Sequence, residues 1–190
     1  MNTASAYHHT HDQIIKEANL IDLAKSDPSK FTPLYNRYHE QIFLFVLKRV
    51  ATLDIAADVT SQVFLKVLLN IKKYNNINLP FASWLYRIAR NEVYDLYQKN
   101  KIEMVVSLEQ QDIVDIAAEI LEDGVEESLV KMKIALQQLP ENELELIELR
   151  FFEKRHFKEI GQVLDLSENN AKVKTYRVLE KLKKIMQNGR

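Results

Sequence analysis

Phe157-Lys158-Glu159-Ile160-Gly161-Gln162-Val163-Leu164-Asp165-Leu166-Ser167 decides how the C-terminal third of this 190-residue chain folds. Phe157, Ile160 and Val163 recur every third residue, which places them on one side of a short helix. Gly161 lets a neighbouring element approach that helix closely. Asp165 stands where the chain turns, and its short polar side chain tolerates a left-handed backbone. Ser167 suits the N-cap of a second helix, because its hydroxyl accepts from a backbone N–H in the following turn. The second helix carries Ala171, Thr175, Val178, Leu182 and Ile185 as an inward stripe. The pattern predicts a helix-turn-helix.

The outward side of the second helix is basic and amide-rich. Between Ser167 and Arg190 there are seven basic residues and two acidic ones, a local excess of +5. Such a helix fits the DNA major groove, where Asn and Arg read base edges and Lys neutralises phosphate. The predicted DNA contacts here are Ser167, Asn169, Asn170, Lys172, Lys174, Tyr176 and Arg177.

Working outward, the rest of the chain also reads as helical. Only 3 Gly and 4 Pro interrupt it, and the apolar residues fall mostly at spacings of three and four. A first helix from Asp12 to Lys25 has Ile14, Ile15, Ala18, Ile21 and Ala24 as its stripe, and Asp27-Pro28 marks a second helix start. Phe31 to Val50 follows, then about Asp54 to Tyr74 with Ala57, Phe64, Val67, Leu68 and Ile71 inward. Asn75 to Pro80 is turn chemistry. Phe81 to Lys99 is the fourth helix, with Trp84, Leu85, Ile88, Val93 and Leu96 inward. Residues 101–127 lose the strong pattern, although Ile113, Ile116, Ala117, Ile120 and Leu121 could form a short helix before Glu122-Asp123-Gly124 interrupts it. Helical pattern resumes at Leu129, breaks at Leu139-Pro140, and continues from Glu141 to Phe152.

Charge divides the chain the same way. Residues 1–100 carry a net +3, residues 101–127 a net −8 and residues 128–190 a net +4. The predicted fold is therefore all-α: two small helical domains, 12–100 and 128–187, joined by an acidic linker at 101–127, with the helix-turn-helix in the second.

Several classes of function are excluded. The absence of Cys removes disulfides and thiolate metal sites, and suits a reducing cytoplasm. No apolar run approaches the ~20 residues of a membrane span, and Met1 to His11 has no signal-peptide core, so a cytoplasmic protein without membrane insertion is expected. No Gly-rich phosphate loop, nucleophile elbow or His–carboxylate metal spacing occurs. His8, His9 and His11 have no carboxylate or Cys cluster to complete a metal site. No enzyme activity, cofactor or metal is predicted.

The N-terminal half carries a more specific signal. Phe81-Ala82-Ser83-Trp84-Leu85-Tyr86-Arg87-Ile88-Ala89-Arg90-Asn91, followed by Asp95, resembles the region 2.3–2.4 helix of extracytoplasmic-function sigma factors. Upstream, Asp58-Val59-Thr60-Ser61-Gln62-Val63-Phe64-Leu65-Lys66-Val67 resembles their region 2.2. Leu139-Pro140, Leu146, Leu149 and Arg150, then the helix-turn-helix, resemble region 4. Order and spacing agree from about residue 13 to 187. The chain departs from the pattern at Ala57, where the family often has Glu, and at Ser61-Gln62, which replaces the common Gln-Glu pair. Its fourth helix also ends in Tyr97-Gln98-Lys99-Asn100-Lys101, less basic than usual.

The resemblance implies partners and roles. Asp58, Thr60, Gln62, Phe64 and Lys66 would bind the clamp helices of the bacterial RNA polymerase core. Arg87, Arg90 and Asn91 would meet the −10 element of promoter DNA, with Lys73, Tyr74, Asn75 and Asn76 of the preceding loop holding a flipped base by phosphate contact, stacking and amide pairing. The helix-turn-helix would bind the −35 element. Catalysis would belong to the polymerase, and an anti-sigma factor, commonly membrane-associated, is the further partner implied. Trp84 and Ile88, one turn apart, are expected in the core. The alternative is a conventional helix-turn-helix regulator with an N-terminal sensor or dimerisation domain, which has no reason to carry the Trp84–Asn91 block.

Overall fold

The computed structural model of the chain describes residues 11–75, 80–100, 113, 115, 116, 119 and 126–188. Among these residues every regular element is helical, as expected. The chain divides into two compact units, residues 1–106 and 107–190.

The first unit contains α1 (His11–Ser26), a 3-10 turn (Pro28–Phe31), α2 (Thr32–Leu47), α3 (Leu53–Asn70), a second 3-10 turn (Ile71–Lys73) and α4 (Phe81–Asn100). α2, α3 and α4 pack on one another around Leu34, Ile42, Val46, Val63, Val67, Leu85 and Ala89, all fully buried. Each large aliphatic side chain so buried is worth roughly 1.5–3 kcal/mol. Local chemistry sets the helix starts. Asp27 accepts from the Ser29 backbone N–H at 2.9 Å and opens the 3-10 turn, which runs directly into α2. The Ser29 side chain and backbone, with a smaller contribution from Lys30, hold the Asp27 carboxyl below its usual range. Thr52 caps α3, its hydroxyl accepting from Ile55 N at 3.3 Å.

Two stripes depart from expectation. On α1, Ile15 is half exposed, whereas Glu17 is buried with Ile21 and Ala24. The Glu17 carboxylate accepts from the Tyr38 hydroxyl, from Arg37 Nη1 at 3.2 Å and from the Phe81 backbone N–H at 3.2 Å. It thereby caps α4 and ties α1 to α2, and three donors offset the cost of burying its charge. On α3, Ala56 is buried and Ala57 exposed, because the inner face follows Ala56, Val59, Thr60, Val63 and Val67.

The second unit contains α5 (Glu126–Gln137), α6 (Glu141–Ile147) running into a π-helical turn (Glu148–Phe152), α7 (Phe157–Val163) and α8 (Glu168–Asn188). α5, α6 and α7 pack against α8 around Met132, Leu136, Ile147, Ile160, Val163, Ala171 and Leu182. Part of the expected linker at 101–127 is helical, where the sequence allows a short helix. Ile113, Asp115, Ile116 and Glu119 are helical, Ile113 and Ile116 are buried, and Asp115 pairs with Lys154. Lys154 itself takes a positive φ of 51° between the π turn and α7.

Candidate nucleic-acid interface

The turn between α7 and α8 has the geometry its sequence predicts. Asp165 adopts φ 54°. Leu166 N donates to Gly161 O at 2.7 Å, and a Cβ on Gly161 would lie 2.6 Å from Leu166 O. That Cβ would also lie 3.3 Å from Ser167 C and 3.4 Å from Glu168 N, so the turn and the start of α8 together leave room for glycine only. Ser167 caps α8, its Oγ accepting from Asn170 N at 3.2 Å. Glu159 performs the reverse service for α7, accepting from His156 N at 2.9 Å.

α8 buries Ala171, Thr175, Val178, Leu179 and Leu182, while Ile185 is only half-buried. The opposite side exposes Ser167, Asn169, Asn170, Lys172, Lys174, Tyr176 and Arg177, the whole set predicted from the sequence. Asn169, Lys172, Val173, Tyr176 and Arg177 line a shallow groove of about 620 Å³. The Tyr176 ring lies 6.0 Å from Phe157, over which the Arg150 guanidinium stands at 4.8 Å. Lys181 pairs with Glu143 at 2.7 Å, which engages its charge inside the unit.

The first unit presents an open groove of about 530 Å³ beside α4. Lys73, Arg87 and Asn91, expected at the −10 element, line it together with Lys66, Asn70 and Tyr94. Arg90 is half-buried and lies outside this lining. Trp84 forms part of the wall and is buried, while Ile88 is half-buried. Asn75 is exposed; Asn76 lies outside the described residues.

Tyr74 is not where a base could stack on it. It is 6% exposed, its ring 5.1 Å from Phe81 and 4.9 Å from Trp84, with Lys25 Nζ 5.9 Å above it. Burial, and secondarily the Glu17 carboxylate, push its phenol well above the usual tyrosine range. The ring supports the groove wall from within.

The residues expected to meet polymerase divide in the same manner. Asp58, Gln62 and Lys66 are exposed. Thr60 and Phe64 are buried, and Phe64 packs its ring 4.8 Å from Tyr35, 6.0 Å from His39 and 6.3 Å from Phe31. Both lie on the inner stripe of α3 and offer no outward contact. Beside Asp58 and Gln62 the helix instead exposes Leu65 (57%) and Leu69 (70%). Lys66 is ion-paired with the buried Glu92 of α4.

The family models for sigma-70 region 2 and sigma-70 region 4 match residues 34–102 and 135–184, in that order and over more than half of the chain. SigW of Bacillus subtilis (strain 168), an ECF RNA polymerase sigma factor, is 26% identical over 183 residues, spanning 91% of this chain and 97% of SigW. This chain belongs to the extracytoplasmic-function sigma factors. Its fold is shared with CnrH in complex with the cytosolic domain of CnrY, at a TM-score of 0.59 and 19% identity over 90% of this chain and 97% of that one. It is also shared with the sigma factor RpoE in complex with the anti-sigma factor NepR from Bartonella quintana, at a TM-score of 0.57 and 16% identity over 84% and 98%.

In this sigma factor the region 2 match covers α2 to α4 and the region 4 match covers α6 to α8. Glu17 precedes both, and sequence reasoning passed over it. A signal existed: Glu17 is three residues after Ile14 and four before Ile21, so it interrupts an apolar stripe. Asn70 and Tyr94 were also missed. Tyr94 follows Asn91 by three residues and so shares its side of α4.

Proposed function

We propose that this sigma factor joins bacterial core RNA polymerase, directs it to promoters with recognisable −10 and −35 elements, and starts transcription there while the polymerase supplies the catalysis. The observation that carries this is the presence, in one chain and in order, of both sigma-70 regions, each presenting an exposed polar or cationic face. Asn169, Asn170, Lys172, Lys174 and Arg177 would engage the −35 duplex, Asn and Arg reading base edges and Lys meeting phosphate. Lys73, Arg87 and Asn91 would engage the −10 element, with Tyr94, exposed in the same groove, supplying the stacking face that Tyr74 does not. Asp58 and Gln62, beside exposed Leu65 and Leu69, would meet the polymerase clamp.

An anti-sigma partner is part of the proposal, supported by the RpoE–NepR complex that shares this fold. The place of action is the cytoplasm; no helix among the described residues is long and apolar enough to cross a membrane. A regulator with a sensor domain leaves the region 2 match unexplained. Mixing the purified chain with bacterial core polymerase is expected to yield a co-migrating complex and transcripts starting at defined promoter positions. Absence of both would refute the proposal.

A further inference from the structure

α8 has an apolar residue where its periodicity asks for a polar one. Its buried side is Ala171, Thr175, Val178, Leu179 and Leu182. Val173, two positions from both Ala171 and Thr175, lies on the opposite side and is 38% exposed. Its neighbours four before, three after and four after are Asn169, Tyr176 and Arg177, all exposed and lining the same groove. Valine is a weaker helix former than alanine or lysine, since its branched side chain loses rotamer freedom. At this site it also leaves apolar surface in water, so the isolated fold does not favour it.

DNA supplies a reason. The major-groove edges of the bases present hydrogen-bond donors and acceptors, with a single apolar feature, the C5-methyl of thymine. A branched aliphatic side chain without a polar atom complements that methyl and none of the hydrogen-bonding edges. Asn169 one turn earlier and Arg177 one turn later can pair with polar edges on either side. We infer that Val173 reads the methyl group of one thymine in the −35 element and is a specificity-determining residue of α8. The inference rests on the assignment of this face to promoter DNA.

The test replaces each thymine of the −35 element, on either strand, by deoxyuridine. This deletes the methyl and keeps every hydrogen-bonding group. Promoter affinity is then titrated for polymerase carrying the wild-type chain or Val173→Ala. Burial of one methyl predicts about a three- to fourfold loss at one position for the wild type. Val173→Ala should bind the thymine promoter more weakly by a similar factor, and deoxyuridine at that position should then change nothing. A flat scan for the wild type, or a sensitive position that stays sensitive in Val173→Ala, overturns the inference. Arg177→Ala in the same titration separates the two levels. If it weakens binding while the scan is flat, only the role of Val173 fails; if it binds as wild type at every salt concentration, α8 is not the DNA face and the underlying reading fails too.

Discussion

The α8 face and the α4 groove are built on opposite plans. On α8, Asn169, Lys172, Val173, Tyr176 and Arg177 project from one side of one helix, whose other side is buried. Beside α4, Lys73 comes from a 3-10 turn, Lys66 and Asn70 from the last turns of α3, and Arg87, Asn91 and Tyr94 from α4. The wall of this groove includes Trp84, which packs against Tyr74 and Phe81, and the Phe81 backbone is held by buried Glu17. Substitutions on the α8 face should therefore change binding and spare stability. Around the groove the supporting residues are core residues, and their loss should change both.

The largest expected effect is on the groove's support. Tyr74→Ala removes a buried aromatic ring and should destabilise the first unit by about 3–5 kcal/mol in denaturant unfolding. Asn75→Ala, on the exposed neighbour, should stay within about 0.5 kcal/mol of wild type and instead reduce permanganate-detected opening of the −10 element. If Tyr74→Ala unfolded like wild type while opening fell, the ring would be a contact residue and the contrast would collapse.

The α8 face has one structural dependence, its turn. Gly161→Ala places a Cβ 2.6 Å from Leu166 O, against backbone that cannot rotate away. A loss of about 1–3 kcal/mol is expected, confined to the second unit. Polymerase association through region 2 should survive while −35 binding fails. Equal loss of both functions would mean that the two units do not act separately.

Changes on the α8 surface itself should be smaller and purely functional. Lys174→Ala and Arg177→Ala are expected to leave unfolding unchanged. A lost phosphate contact should lower affinity for all sequences and reduce the salt slope by about one charge. A lost base contact should cost about 1–3 kcal/mol at one base pair and relax specificity there. Unchanged promoter binding by both variants at several salt concentrations would place the DNA face elsewhere.

The smallest effect is a titration. The Tyr74 phenol is raised by burial and then by Glu17, so its neutral form is favoured in the folded chain. Its contribution to stability is fully present below the unfolded tyrosine value of about 10 and is lost as pH rises through the higher folded value. In an alkaline absorbance titration, Tyr74→Phe should remove a component that ionises above the usual tyrosine range. Coincident curves would show that the ring is accessible.

The same contrast explains what the sequence disclosed. A face on one helix is specified by a period, a cap and a turn residue, so Ser167, Asp165 and the α8 surface are legible in the sequence itself. A groove assembled from three elements is not periodic in the chain. Tyr74 sits in a stretch with turn composition, yet its ring folds back under Trp84. Thr60 and Phe64 fell inside a block whose resemblance marks a region of sequence and says nothing of which side faces out. Glu17 interrupts the α1 stripe, but its partners, Tyr38, Arg37 and Phe81, lie 20 or more residues away, so no local pattern names them.

The most direct test of the central claim is a footprint of a transcribed promoter, made with the chain alone and with the chain bound to core polymerase. Polymerase carrying this chain should protect two separated stretches, at the −35 and −10 elements, that the chain alone does not protect strongly. Combining Lys172→Ala, Lys174→Ala and Arg177→Ala should weaken the upstream stretch selectively. A single palindromic site, protected by the chain without polymerase, would contradict the account and identify a conventional dimeric regulator instead.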